Sequence, residues 1–287
     1  MRVSFKIILP ALAALAVAGC GRNTQVPRTW QGTTSMEPTA GLPEQTTLVV
    51  PEERLTFAIS ALGFAAGELV MAAGKPGEVD GKRVVYFRSR SVSKGVVALL
   101  KTVVDDVTTY IDLDSGTTIY HRTDTKKGAK DTEAVEIHFA PGQFEVAEWD
   151  NGDKKVETQV LPEGARGYDM TTALMAMRGW DADKGDRASM FVLRSSLFWQ
   201  VHLEFAGQDS IRTKLGRFAA VRIDGVSQRY HRDGTREEEK EPRYFSIWLT
   251  DDDQRLPLLI AAKTDYGDVR MELIEYVGAG REVAINR

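Results

Sequence analysis

Apolar and polar residues alternate with a period of two along most of this chain. Leu55, Phe57 and Ile59 interleave with Arg54, Thr56, Ala58 and Ser60; Val135, Ile137 and Phe139 with Glu136 and His138; Val201, Leu203 and Phe205 with Gln200, His202 and Glu204. Successive side chains on a strand point to opposite faces, so each run predicts a strand with one dry and one wet face. Such alternation marks antiparallel sheet, because parallel strands read as longer apolar runs. Turn signals fall between the runs at Asp80-Gly81, Asp114-Ser115-Gly116, Pro141-Gly142, Asn151-Gly152, Asp233-Gly234 and Tyr266-Gly267-Asp268. The pattern predicts a mainly β protein of about a dozen strands, joined largely as hairpins.

Two segments leave this period. Ser93 to Lys101 predicts two helical turns, and Asp169 to Arg178 predicts a second short helix, with Asp169 as N-cap and Gly179 just beyond its end. The charge run from Arg232 to Pro242 reads as a solvated loop. Tyr110 to Gly116 and Ile247 to Asp253 are both strand followed by acidic turn, an echo that fits either two similar β halves or independent meanders.

The N-terminus follows a different logic. Arg2 and Lys6 precede an apolar stretch from Ile7 to Ala18, and small residues lead into Cys20, the chain's single cysteine. About 12 apolar residues interrupted by Pro10 are too few for a span, which needs roughly 20. The segment resembles a bacterial lipoprotein signal. That resemblance implies cleavage before Cys20, acylation of Cys20 with palmitate-type chains, and anchoring from outside the cytoplasm. Gly21, where inner-membrane lipoproteins commonly carry aspartate, implies an outer-membrane address facing the periplasm. Residues 1–19 are therefore expected as signal peptide and 20–50 as lipidated Cys20 and flexible tether. Residues 51–278 form the β-rich domain and 279–287 a C-terminal tail. Trp30 is the tether's one aromatic side chain.

Loss of residues 1–19 removes two of the 37 basic residues and none of the 41 acidic ones. The acidic remainder has no electrostatic reason to seek nucleic acid. With Cys20 acylated no thiol is left for a disulfide, a nucleophile or a soft metal ligand.

From Glu53 the chain reads ERLTFAISALGFAAGEL, followed by VDDVTTYIDLDSG from Val104, DMTTALMAMR from Asp169, KLGRFAAVRI from Lys214 and IWLTDDDQRLPLLI from Ile247. In order and spacing these segments resemble the family catalogued as domain of unknown function 3108, over roughly Pro51 to Val277. The resemblance implies an exported protein of curved antiparallel sheets, half-barrel or barrel-like, with bends at Gly63, Gly67 and Gly216 and an edge or bulge at Pro257. It carries no reaction and no catalytic residues.

Searches for chemistry return little. The nucleophile pattern G-x-S-x-G is absent. Ser91 and Lys94 fit S-x-x-K without its companion motifs, and His121, His138, His202 and His231 lie on separate strands without metal-ligand spacing, so solvated imidazoles are expected. Asp112 with Asp114, and Asp251 to Asp253, resemble the start of calcium loops but equally suit hairpin turns. No metal or other cofactor is called for. Binding is better motivated. Tyr244 to Leu249 is apolar on both faces, and Met170, Met175 and Met177 with Trp180 are adaptable groups suited to a lipid pocket or to an irregular core. The residues expected to line an apolar site are Met170, Met175, Met177, Trp180, Tyr244 and Trp248. The sequence thus favours a membrane-anchored, non-catalytic module that binds an apolar ligand or an envelope partner. The alternatives are a scaffold contacting envelope proteins or cell-wall glycan, and a hydrolase.

Overall fold

The computed structural model describes residues 39–43, 47–100, 102–128, 131–162, 165–194, 197–231, 235–264, 267–278 and 281–282. Cys20 and Trp30 lie outside the described residues. In chain order the elements are β1 (Arg54–Ala61), β2 (Phe64–Ala73), β3 (Gly77–Val79), β4 (Lys82–Ser93), α1 (Gly95–Leu100), β5 (Val103–Asp112), β6 (Thr118–Lys127) and β7 (Asp131–Ala140). There follow β8 (Gln143–Asp150), β9 (Asp153–Val160), β10 (Gly167–Asp169), α2 (Met170–Arg178), β11 (Arg187–Arg194), β12 (Leu197–Thr213) and β13 (Gly216–Tyr230). The last are β14 (Arg243–Thr250), β15 (Pro257–Thr264), β16 (Gly267–Gly278) and β17 (Arg281–Glu282). Among the described residues no helix is long and apolar enough to cross a membrane.

The strands form one open, curled sheet. Pairing runs from β10 through β11, β12, β13, β14, β15 and β16 to β1, then β2, β4, β5, β6, β7, β8 and β9; the short β17 and β3 pair with β16 and β4. Every pair is antiparallel except β10 with β11. The expected hairpins are present, and Asn151 and Gly152 both take the left-handed conformation that a tight two-residue turn requires. Pro257 sits at a register shift between β14 and β15, as its missing N–H dictates.

The sheet curls past itself. Ile137, Phe144 and Val146 on β7 and β8 pack against Leu193 and Phe198 on β11 and β12, forming a small second core where the two ends overlap. The main core lies inside the curl and contains α2. From Thr171 to Arg178 every residue of α2 is buried, which is the condition of a helix enclosed on all sides. β12 and β13 extend beyond β11 and β14 as a long hairpin bent at Gly207, where the register shifts. This hairpin folds over the outer face of the sheet, with the Lys214 N–H donating to Glu272 at 2.6 Å and the Trp248 indole N–H donating to Asp209 at 3.0 Å. It is the cover that the two-sided apolar strand β14 requires.

Buried charge fixes both ends of α2. Asp169, fully buried, caps the N-terminus by accepting from the Thr171 and Thr172 N–H groups, and it also accepts from the hydroxyls of Thr109, Thr118 and Thr172. His121 Nδ1 lies 3.0 Å from its second oxygen. At the C-terminus the Arg178 guanidinium grips Glu53 with both terminal nitrogens and donates to the carbonyls of Gln254 and Arg255. Neither Arg178 nor Glu53 exposes any side-chain surface. An anion at the helix start and a cation at its end also suit the helix dipole.

Three expectations are corrected. Strands number seventeen among the described residues rather than about a dozen, partly because several, such as β3 and β10, are only three residues long. The first helix is shortened to Gly95–Leu100, since Ser93 closes β4 and its hydroxyl accepts from the Val103 N–H. The segment expected as tether through residue 50 docks well before that point. Leu42 is buried in the main core, the Ser189 N–H donates to Ala40, and the Leu48 N–H donates to Met175. Its few apolar residues suffice, because burying one leucine is worth roughly 1.5–3 kcal/mol.

Removing one partner of a buried ion pair strands the other, so Glu53→Gln and Arg178→Met should each cost about 3–5 kcal/mol in denaturant unfolding. The double variant Glu53→Met/Arg178→Met should recover much of that loss. Asp169→Asn keeps a cap but loses the carboxylate that His121 and the threonines share, at a cost of about 3 kcal/mol. Burial opposes ionisation of Asp169, but the His121 hydrogen bond and charge, together with the Thr172 hydroxyl and N–H, outweigh it and hold the carboxyl well below the usual range. A depressed folded pKa gives stability that is complete above the unfolded value of about 4 and is lost as pH falls below it. The wild-type advantage over Asp169→Asn should therefore stay constant from neutral pH to about 5 and shrink through the range below about 4 in pH-dependent unfolding curves.

Candidate functional site

The antiparallel registers define two ends of the curl. At one, which we call closed, lie the β5–β6 turn, the β14–β15 turn and the Arg178–Glu53 pair; at the other lie the β1–β2, β11–β12 and β15–β16 turns and α1. β10 runs toward the second end and the chain reverses at Asp169, so α2 occupies only the half of the interior nearest the closed end. Asp169 bonds Thr109 on β5, and six residues of β5 continue beyond that level, about 20 Å of strand.

The inner face changes character at that level. Phe57, Met71, Phe87, Thr109 and Ile247 are buried around α2. The next inward positions on the same strands, Ile59, Leu69, Ser89, Val107 and Phe245, are only half-buried, as are Ile260 and Met271 beside them. One wall of this open half is apolar: Ile59, Leu69, Phe245, Ile260 and Met271. The Phe245 ring lies flat on Gly225, where a Cβ would come within 2.1 Å of it. The facing wall is polar. Ser91 and Thr125 donate to the two oxygens of Asp105 at 3.1 and 2.6 Å, and Lys127 pairs with Glu133 at 2.6 Å near the rim. The result is a two-sided well with α2 as its floor.

At the mouth stand three further groups. Trp199 on β12 is buried on the inner face, its indole N–H without a hydrogen-bond partner among the described residues. Arg243, the first residue of β14, places its guanidinium 4.8 Å from the centre of the Trp199 ring. Arg194, the last residue of β11, is the diagonal inner-face neighbour of Trp199. Among the described residues no hydrogen bond or ion pair engages it, and it remains exposed to solvent. Its pKa is nevertheless lowered, first by desolvation and then by the charge of Arg243, with Asp105 on the polar wall opposing. A solvent-accessible guanidinium that feels both β14 and β5 faces the interior of the curl.

The residues expected to line an apolar site are dispersed. Met175, Met177 and Trp180 are packed in the main core, Trp180 edge-on to Phe205. Trp248 lies on the outer face under the long hairpin, and Tyr244 is half-buried on that same face. Met170 alone is largely exposed, at the start of α2 where the floor of the well begins. Sequence reasoning passed over Arg194, Trp199 and Arg243, because a charge at a strand end and a tryptophan in an alternating strand read as rim and core. The half-burial of successive inward positions depends on how far α2 reaches, which alternation does not encode.

Two histidines depart from the solvated state expected of them. His121 is buried against Asp169, with Nε2 2.9 Å from the Thr123 hydroxyl. Carboxylate, imidazole and hydroxyl thus stand in a row, but the carboxylate is committed to capping α2 and the row serves as a clamp between β6 and the helix. His202 is buried on the outer face of β12, and burial followed by the nearby Arg236 charge lowers its pKa.

The weaker motifs resolve as structure. Ser91 lies on a strand rather than a helical turn, and Lys94 pairs with Glu68 at 2.7 Å. Asp112 accepts from the Asp114 and Ser115 N–H groups, and Asp252 from the Thr250 hydroxyl and the Gln254 and Arg255 N–H groups; each closes its own turn. Among the described residues no three His, Asp or Glu side chains cluster as a metal site requires. Two clefts mark the outer surface, about 500 Å³ beside Arg54, Glu68 and Glu275 and about 290 Å³ beside Arg122 and Trp149. Their charges are already engaged, Arg54 with Glu275 and Arg122 with Asp124 and Glu136.

Among solved structures, a β-barrel-like protein of the domain of unknown function DUF1849 from Brucella abortus is similar to this chain. The TM-score is 0.52 at 10% identity, over 81% of this chain and 99% of that one. The likeness is one of fold. A protein from Bacteroides fragilis, described as exported and YmcC-like in fold, is more distantly similar, with TM-score 0.37 at 10% identity over 79% and 96% of the two chains. So is one from Parabacteroides distasonis described as a lipoprotein, with TM-score 0.33 at 10% identity over 84% and 100%. Among curated proteins none matches. The sequence pattern of DUF3108, described as a protein of unknown function, matches residues 54–274, more than half of the chain, and this protein therefore belongs to the DUF3108 family.

Proposed function

We propose that this protein is a non-catalytic binding module that holds an apolar or lipid ligand in the open half of its curled sheet. The observation that carries this reading is the half-buried apolar wall of Ile59, Leu69, Phe245, Ile260 and Met271, which continues the core past the level at which α2 begins. Apolar surface left on a wall gains roughly 25 cal/mol per Å² when a ligand covers it. Binding sites of this kind are concave and mostly apolar, with a few placed polar groups, which here are the Asp105 cluster and the groups at the mouth.

The address of the module rests on the N-terminal sequence. Lipidation of Cys20 holds the domain at the outer membrane, facing the periplasm, and two or three acyl chains anchor where one does not. Gly21 favours that membrane over the inner one. In this reading the membrane is both anchorage and source of apolar ligand.

The full chain carrying Cys20→Ala should move to the soluble periplasmic fraction and lose metabolic palmitate label; label that persists would refute anchoring through Cys20. The same chain should take up a fluorescent fatty-acid probe and release a lipid or acyl species in native mass spectrometry. Ile260→Glu, which puts a carboxylate on the apolar wall, should reduce probe binding at least tenfold, with the melting profile measured alongside to separate this loss from any weakening of the packing around Ile260. Uptake that is absent in the parent chain would remove the binding reading.

A further inference from the structure

We infer that the ligand is a single-chain anionic amphiphile, its tail along the apolar wall and its head at the mouth against Arg194, Trp199 and Arg243. The inference rests on the binding reading above and adds the chemistry of the head. Three observations independent of the apolar wall carry it. Arg194 is a guanidinium with no hydrogen bond or ion pair among the described residues, although it faces the interior. The Trp199 indole N–H is buried beside it without an acceptor among the described residues. Arg243 lies over the Trp199 ring at 4.8 Å and brings a second positive charge to the same place.

These groups are all donors, and an arginine fork matches a carboxylate or phosphate better than any neutral head. A buried N–H without an acceptor is unfavourable, and an oxyanion would satisfy it on binding. Asp105 lies on the facing wall, where its charge acts on Arg194. Both its oxygens already accept hydrogen bonds from Ser91 and Thr125, and among the described residues no ion pair joins it to Arg194. The vertical order also fits an amphiphile. Arg194 and Arg243 are terminal residues of their strands at the open end, whereas the apolar wall lies deeper toward α2. A head bound at the mouth stays partly hydrated while its tail is buried.

The test uses the full chain with Cys20→Ala, titrated with four probes: palmitate, lysophosphatidate, hexadecanol and hexadecyltrimethylammonium. One or both anions should bind at least tenfold more tightly than hexadecanol and the cation, and the stronger anion tells a carboxylate from a phosphate head. Arg194→Gln should abolish that preference while binding hexadecanol as before, and Arg194→Lys should restore part of it. Trp199→Phe should weaken the anions several-fold more than the alcohol. Among the described residues Arg194 makes no hydrogen bond or ion pair, so its variants should keep the parent's melting temperature. Equal binding of all four probes would overturn the head-group assignment and leave the apolar well intact. Binding of none would overturn both readings.

Discussion

The architecture depends on how a single buried helix is held inside a curled sheet. Arg178 at its end reaches Glu53 at the entry to β1 and the carbonyls of the β14–β15 turn, tying three distant parts of the chain to one guanidinium. Such a pair is a poor source of net stability, because desolvating two ions costs about what their attraction returns. Its effect is positional. A shift of α2 by one turn along the interior would leave both charges buried and unpaired, and Asp169 at the other end would lose Thr109, Thr118 and His121 together. The helix is pinned in depth by two costs that rise steeply with displacement.

That pinned depth divides the interior. Each inner-facing strand carries a buried residue where it passes α2 and a half-buried one where it has passed it, Phe57 then Ile59 on β1 and Ile247 then Phe245 on β14. The residue types follow the division on β4 and β5, where Phe87 gives way to Ser89 and Ser91, and Thr109 to Val107 and Asp105. A core that simply ended would change to polar residues on every strand. Here one wall changes and the other does not, so an apolar wall faces a polar one.

Much of the fold was legible from period-two alternation and turn residues, since a half-buried antiparallel strand states its own face in the sequence. The second helix was legible at both ends, because Asp169 is a capping residue and Gly179 follows the last turn. Its enclosure was not, because the partners of Asp169 and Arg178 lie far away in the chain, Glu53 by 125 residues. The apolar character of β14 on both faces showed that a cover existed but not that β12 and β13 would supply it by bending at Gly207. His202 occupied a polar-looking position and turned out buried, since a polar phase on a strand can face another layer of the same curled sheet, whereas His121 is buried inside the curl against the Asp169 cap. The site residues were hidden for a related reason: Arg194 and Arg243 are 49 positions apart and meet only because the β11–β14 registers bring both strand ends to the ring of Trp199.

The direction from which the chain enters the domain bears on how an anchored module could reach its ligand. Thr39 and Ala40 meet Ser189 near the start of β11, and Thr47 bonds Gly116 in the β5–β6 turn, so the described chain joins the body at its closed end. An anchor at Cys20 is separated from Thr39 by residues 21–38, whose covalent reach is at most about 60 Å. Strands of eight to twelve residues rise only about 30–40 Å. If Cys20 is the anchor proposed above, covalent geometry permits the open end to face the membrane although the described chain enters the body at the opposite end. At that mouth Leu62 and Phe64 in the β1–β2 hairpin, Leu99 on α1 and Leu197 at the start of β12 stand exposed. A rim of this composition lowers the cost of contact between the entrance and an apolar phase, because these side chains gain by leaving water.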